Sequence, residues 1–171
     1  DGQMKVFLKG GSNVFVNTND DIQAIIVPTH LKNRYQKLLE KYDGLVTDCV
    51  AEVDGIYYSL DSDTHTAKVI HTAKDQSYDY YTGDIVIPAQ ITYQGQEYQV
   101  VEIAASAFCS CSIDSITLPE GLVTIGNRAF DCCTDLRFVD MPNTVNNLRH
   151  GAFAGCRSLK EVRIPDSVHI L

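Results

Sequence analysis

Three stretches repeat one frame: Ile103-Ala-Ala-Ser-Ala-Phe108-Cys-Ser-Cys111, Ile125-Gly-Asn-Arg-Ala-Phe130-Asp-Cys-Cys133 and Leu148-Arg-His-Gly-Ala-Phe153-Ala-Gly-Cys156. The Ala-Phe pair recurs after 22 and then 23 residues, and a cysteine always follows the Phe by three positions. Each unit runs on into an apolar stretch that ends in proline: Ile113 to Pro119, Leu136 to Pro142 and Leu159 to Pro165. One deletion between Cys111 and Ile113 accounts for the shorter first period. Self-similarity at a short fixed period is the signature of stacked repeats.

The chemistry of one unit sets its shape. Residues two apart, such as Val139 and Met141, project to one face of a strand. The proline that follows lacks an N–H and ends the ladder. The Ile-x-x-x-Ala-Phe part then returns across the opposite side as a short turn or a single helical turn. One unit cannot bury its apolar face alone, so units stack into a solenoid with a parallel sheet along one side. Ladders of Ile/Leu, Phe and Cys are expected through the interior.

With Ile116/Leu118, Val139/Met141 and Val162/Ile164 inward, alternation turns Ser115, Thr117, Phe138, Asp140, Glu161 and Arg163 outward. These six are the ligand-binding candidates, because the open sheet face is where solenoids commonly bind proteins. Asp140 and Arg163 fall in one column on neighbouring strands and are expected to pair. Phe138, flanked by charges, is the expected anchor.

Gly151-Ala-Phe-Ala-Gly-Cys-Arg-Ser-Leu159-Lys-Glu-Val-Arg-Ile-Pro-Asp-Ser-Val168 resembles the BspA-like leucine-rich repeats of Bacteroides-type surface proteins. Upstream, Val53-Asp-Gly-Ile-Tyr-Tyr58, Gly83-Asp-Ile-Val-Ile-Pro88 and Tyr98-Gln-Val-Val-Glu-Ile103 look like the β-rich lead-in of such modules. Residues 13–42 look like the segment that usually closes one, although here it comes first. The expected organisation is an α/β closing segment over 1–50 and a β-rich lead-in cap over 51–99. Over 100–171 come three leucine-rich repeats and the start of a fourth. The resemblance implies a cell-surface or secreted location and a protein partner such as host matrix, a host cell or another bacterial surface protein.

Coarser patterns fill in the rest. Lys5–Leu8 and Ile22–Val27 read as short strands. Thr29 then caps a helix whose Leu31, Tyr35, Leu38, Leu39 and Tyr42 form one apolar stripe. Ile56-Tyr57-Tyr58, Ala67–Ile70 and Ile85–Ile87 read as strands, and Tyr93-Gln-Gly-Gln-Glu-Tyr98 as a hairpin turning at Gly95. Such a hairpin unit would cover the first edge of the solenoid, which otherwise invites aggregation. The fold class is therefore an α/β solenoid of leucine-rich repeats with an N-terminal β-hairpin cap and a small α/β element.

Catalytic signatures are not apparent. The six cysteines include no Cys-x-x-Cys, and no histidine falls at zinc-finger spacing. Cys111, Cys133 and Cys156 share one repeat position and read as an inward ladder of thiols, whereas Cys109 and Cys132 lie off it and are the reactive or paired ones. Asp61-Ser-Asp63-Thr-His65 opens like a calcium loop but has Thr66 and Thr72 where Gly and Glu belong. His65 and His71, six apart, lack an evident third ligand. Neither a nucleophile elbow nor a phosphate loop is present, so no cofactor or metal is assigned. Seven of nine tyrosines lie between 57 and 98, where β-propensity and core filling compete with a sugar-stacking role.

Composition narrows the partner. The net charge of -8 comes from residues 43–120, with 13 acidic and 2 basic side chains; 1–42 carry +2 and 121–171 carry +1. An acidic chain without a basic stripe argues against nucleic acid. No apolar run reaches the roughly 20 residues of a membrane helix. The expected function is non-enzymatic protein binding or adhesion, with a structural spacer or a glycan-binding accessory as alternatives. The final Val168-His169-Ile170-Leu171 stops where a repeat would start, and open repeat ends would allow self-association.

Overall fold

The computed structural model describes residues 25–26, 46–47, 49–71 and 81–168. β1 (Ile25–Ile26) pairs in parallel with β2 (Val46–Thr47). The strand read over Lys5–Leu8 and the helix read from Thr29 to Tyr42 lie outside the described residues.

β3 (Cys49–Val53), β4 (Ile56–Asp61) and β5 (Thr66–Ile70) form an antiparallel meander. After β6 (Thr82–Val86), β7 (Gln90–Tyr93) and β8 (Gln96–Ile103) form the expected hairpin. Its Gln94-Gly95 turn has φ of 52° and 82°, the paired positive values of a type I′ turn that matches strand twist. The repeats then supply two short strands per coil: β9 (Ser112–Thr117), β10 (Thr124–Ile125), β11 (Phe138–Asp140), β12 (Asn147–Leu148) and β13 (Glu161–Arg163).

These strands sort into two sheets. The front sheet runs β6-β9-β11-β13, all parallel, and the back sheet runs β3-β4-β5-β8-β10-β12 with β7 also on β8. Each coil thus adds a second parallel ladder of two-residue strands that end at Ile125 and Leu148, and the Ile-x-x-x-Ala-Phe part that follows is a run of turns, as expected. β8 serves two structures: Gln96–Gln99 pairs with β7, while Glu102 and Ile103 pair with β10 as the first rung of the back ladder. The meander caps only that back sheet, through β5. On the front, β6 is the end strand and pairs with β9 alone among the described strands. The front ladder therefore begins at Thr82, in the segment read as lead-in, and Asp84-Ile-Val-Ile-Pro88 takes the register of Ser115-Ile-Thr-Leu-Pro119.

Between the sheets runs one core. Ile116 and Val139 point in from the front, Ile103 and Ile125 from the back, and Ala107, Ala129 and Ala152 fill the bend. Small alanines leave room for the rings beside them. Phe108 stacks on Phe130 at 5.2 Å and 3°, and Phe130 on Phe153 at 5.1 Å and 0°. That spacing is close to the strand repeat of about 4.8 Å, so identical side chains at one coil position must stack. The thiol ladder lies beside it. The Cys133 thiol donates to the Phe108 carbonyl at 2.9 Å and the Cys156 thiol to the Phe130 carbonyl at 3.0 Å, each reaching the preceding coil. A hydrogen bond with Cys156, then burial, pushes the Cys133 thiol well above its ordinary value.

The bend around each Phe uses left-handed backbone twice. Ser106, Arg128 and Gly151, two before the Phe, have φ of 55°, 52° and 64°. Ser110, Cys132 and Gly155, two after it, have φ of 58°, 59° and 70°. Only the third coil meets this demand with glycine at both places. The first two coils hold it with side chains, against a steric penalty.

Candidate functional site

Register on the front sheet builds two outward columns. Asp84, Ser115, Phe138 and Glu161 form one, and Val86, Thr117, Asp140 and Arg163 form the other. All six candidates read from the sequence stand in these columns, Ser115 half-buried and the other five exposed. Asp84 and Val86 join them. Their signal was present, because Pro88 follows Val86 at the same distance as Pro119 follows Thr117. A bulge that sets Asp114 out of the β6–β9 pairing brings Asp84 beside Ser115.

The electrostatics differ from the expected pairing. Asp140 and Arg163 are register partners on β11 and β13. Even so, the Arg163 Nε donates to Glu161 Oε1 at 3.1 Å, two residues back on its own strand. The longer guanidinium arm folds along the strand instead of across to the shorter aspartate. Glu161 foremost, with Asp140 adding its charge, holds the Arg163 guanidinium above its ordinary value. At the other end of the face the Ser115 hydroxyl donates to Asp84 at 2.6 Å. Acidic groups are thus tied down at both ends, and Phe138 and Asp140 stand between them.

Apolar surface crosses this face. Phe138 is 43% exposed on β11, Val86 is 65% exposed on β6, and Ile164 is 52% exposed just after β13. Ile164 was expected inward with Leu118 and Met141, which are indeed buried. It differs because no described strand pairs with the outer side of β13, so nothing covers that end of the column. A groove of about 590 Å³ lies over the face, lined by Ser115, Thr117, Phe138, Asp140 and Arg163 and also by Leu118, Glu120, Met141 and Ile164. Glu161 stands outside it.

The other constellations resolve into structure. The Asp61 carboxylate accepts from the amides of Asp63 and Thr64 at 3.0 and 3.2 Å, which makes the calcium-like stretch the β4–β5 turn. His65 and His71 flank opposite ends of β5. Tyr57, Tyr58, Tyr81 and Tyr98 are buried, which leaves their rings to the core. Among the described residues no three His, Cys, Asp or Glu side chains are placed to hold a metal ion, and no helix is long and apolar enough to cross a membrane.

Comparison with known proteins gives one consistent result. The BspA type Leucine rich repeat region matches residues 84–171 in six copies. No curated protein matches the chain. Among solved structures, a leucine-rich repeat protein from Bacteroides capillosus ATCC 29799 is 31% identical with a TM-score of 0.60, over 70% of this chain and 84% of that one. A leucine-rich repeat protein from Bacteroides ovatus ATCC 8483 is 27% identical with a TM-score of 0.61, over 69% of this chain and 30% of that one. A leucine rich cell surface protein from Faecalibacterium prausnitzii A2-165 is 26% identical with a TM-score of 0.53, over 65% of this chain and 29% of that one. The six repeat copies begin at the residue where the front ladder takes up its register, and the chain belongs to the BspA-type leucine-rich repeat family.

Proposed function

We propose that this chain is a non-enzymatic binding module of a cell-surface or secreted protein, and that it grips a protein partner with the front sheet face. The observation that carries the reading is Phe138, an aromatic side chain 43% exposed in a groove that it lines together with the polar and charged Ser115, Thr117, Asp140 and Arg163 and the apolar Leu118, Met141 and Ile164. An aromatic side chain held on a rigid strand loses little entropy on binding and supplies a large apolar contact, the usual make-up of an interface anchor. The similarity to a cell surface protein supports the location. Host matrix, host-cell and bacterial surface proteins are the partner classes to screen by surface plasmon resonance. Phe138→Ala should weaken a genuine partner by tenfold or more, and Arg163→Glu should reduce it further. A partner that binds both variants unchanged would place the site elsewhere.

A second reading rests on Val86, exposed on the outward face of the end strand β6, and Ile164, exposed at the uncovered end of the inward column beside β13. In that reading the face packs on neighbouring modules or on a second copy, and the chain is a spacer. Concentration-dependent light scattering that responds to Ile164→Asp but not to Phe138→Ala favours it.

A further inference from the structure

Cys109 and Cys132 stand apart from the buried thiol ladder and close to one another. The Ser110 amide donates to the Asp131 carbonyl at 2.7 Å, bridging the first two coils. Cys109 precedes the donor residue and Cys132 follows the acceptor residue, so the two cysteines lie diagonally across one hydrogen bond. With coils about 4.8 Å apart and a Cα step of about 3.8 Å, that diagonal is roughly 6 Å. A disulfide spans Cα separations of roughly 4.4–6.8 Å. Cys132 is exposed and Cys109 half-buried, so reagents in solution reach the pair.

Cys132 holds φ of 59°, the left-handed backbone that Ser110 and Gly155 hold at the same place in their coils, and it carries an exposed thiol there. Its surroundings also restrain it. The thiol donates to Asp131 at 3.5 Å, and Arg128 holds that carboxylate at 2.8 Å. Asp131 foremost, with Cys109 contributing a smaller charge effect, raises the Cys132 thiol above its ordinary value.

We propose that Cys109 and Cys132 form a site for a reversible disulfide that ties the first coil to the second, made by exchange with a small-molecule disulfide. The Cys109 thiolate attacks one sulfur of the small disulfide, forming a mixed disulfide and expelling one thiolate. Cys132, losing its proton, attacks the Cys109 sulfur and expels the second. The protein gives up two electrons and two protons, and the small disulfide leaves as two thiols.

The whole chain, reduced, is incubated with oxidised glutathione, denatured, alkylated and mapped without reduction by mass spectrometry. The site predicts that two of the six thiols disappear with no glutathione retained, in a link joining Cys109 to Cys132. The thermal midpoint should rise on oxidation and return on reduction. Cys132→Gly, which installs the residue of the third coil, and Cys109→Ser should each abolish the link and the shift while leaving the reduced midpoint at or above wild type for Cys132→Gly. Glutathione retained on either cysteine of the wild-type chain, a link through Cys111 or Cys133, or no reaction would each overturn the proposal.

Discussion

Tyr81 packs on Phe108 with ring centroids 4.8 Å apart and planes tilted by 53°, adding a tyrosine rung to a ladder otherwise made of phenylalanines. Its hydroxyl accepts from the Tyr57 amide and donates to the Ile70 carbonyl, both at 3.1 Å. Tyr57 and Ile70 are register partners of β4 and β5, so the hydroxyl sits inside the last rung of the meander. One side chain thereby joins the cap to the repeat core. Tyr81→Phe keeps the ring and removes both buried hydrogen bonds, with an expected loss of about 2 kcal/mol in urea unfolding.

The stack itself should be most sensitive at its centre. Phe130 has a ring on each side and is fully buried, whereas Phe153 stacks on one side and is half-buried. Phe130→Ala is expected to cost about 4 kcal/mol. Phe153→Ala should cost about half as much, because less apolar surface leaves water there. Equal losses in chemical denaturation would mean that the coils unfold independently of the ladder.

The left-handed positions predict a coupled pair of substitutions. Cys132→Gly should stabilise the reduced chain by about 1 kcal/mol by removing a strained side chain. Gly155→Ala should destabilise it, since φ is +70° and a Cβ would lie 3.0 Å from the Cys132 sulfur. In the Cys132→Gly background the sulfur contact disappears, while the 3.3 Å approaches to the Cα and amide nitrogen of residue 132 and a backbone strain of about 1 kcal/mol remain. A double-mutant cycle measures the difference.

Close approach of the coils makes Gly126 irreplaceable. A Cβ there would lie 2.6 Å from the Ala105 amide nitrogen and 2.7 Å from the Ala104 carbonyl carbon, both backbone atoms. Gly126→Ala is expected to cost about 3 kcal/mol, as overpacking against atoms that cannot rotate away. Thermal unfolding of the variant tests it.

Alkaline pH should unfold the chain in a defined direction. Burial foremost raises the hydroxyls of Tyr58 and Tyr81 above the ordinary tyrosine value of 10.0. The Tyr58 hydroxyl also has no hydrogen-bond partner among the described residues. Unfolded tyrosines release their protons above that value while the folded ones retain them, so the native state binds more protons and stability falls as pH rises. Below it both states are protonated and the contribution is complete. Urea midpoints across that range should fall with pH, and less steeply in Tyr81→Phe. A flat profile would contradict the burial of both hydroxyls.

The amino-acid sequence by itself determined the coil. The 22–23-residue period, the Ala-Phe-x-x-Cys frame and the proline stops set which residues turn inward, and Ile116, Val139, Phe130 and Cys133 obey them. It also determined the Gln94-Gly95 hairpin and the six outward positions of the front face. These are consequences of short-range geometry, the alternation along one strand and the steric demands of one turn. Other features were decided only by tertiary structure. Among them are the bulge that sets Asp84 beside Ser115, the exposure of Ile164 and the turning of Arg163 to Glu161. The second ladder on the back, the Tyr81 bridge and the diagonal of Cys109 and Cys132 belong with them. Each depends on how one coil stacks on the next, where a single bulged residue shifts the register and a side chain meets a partner 20 or more residues away in the chain.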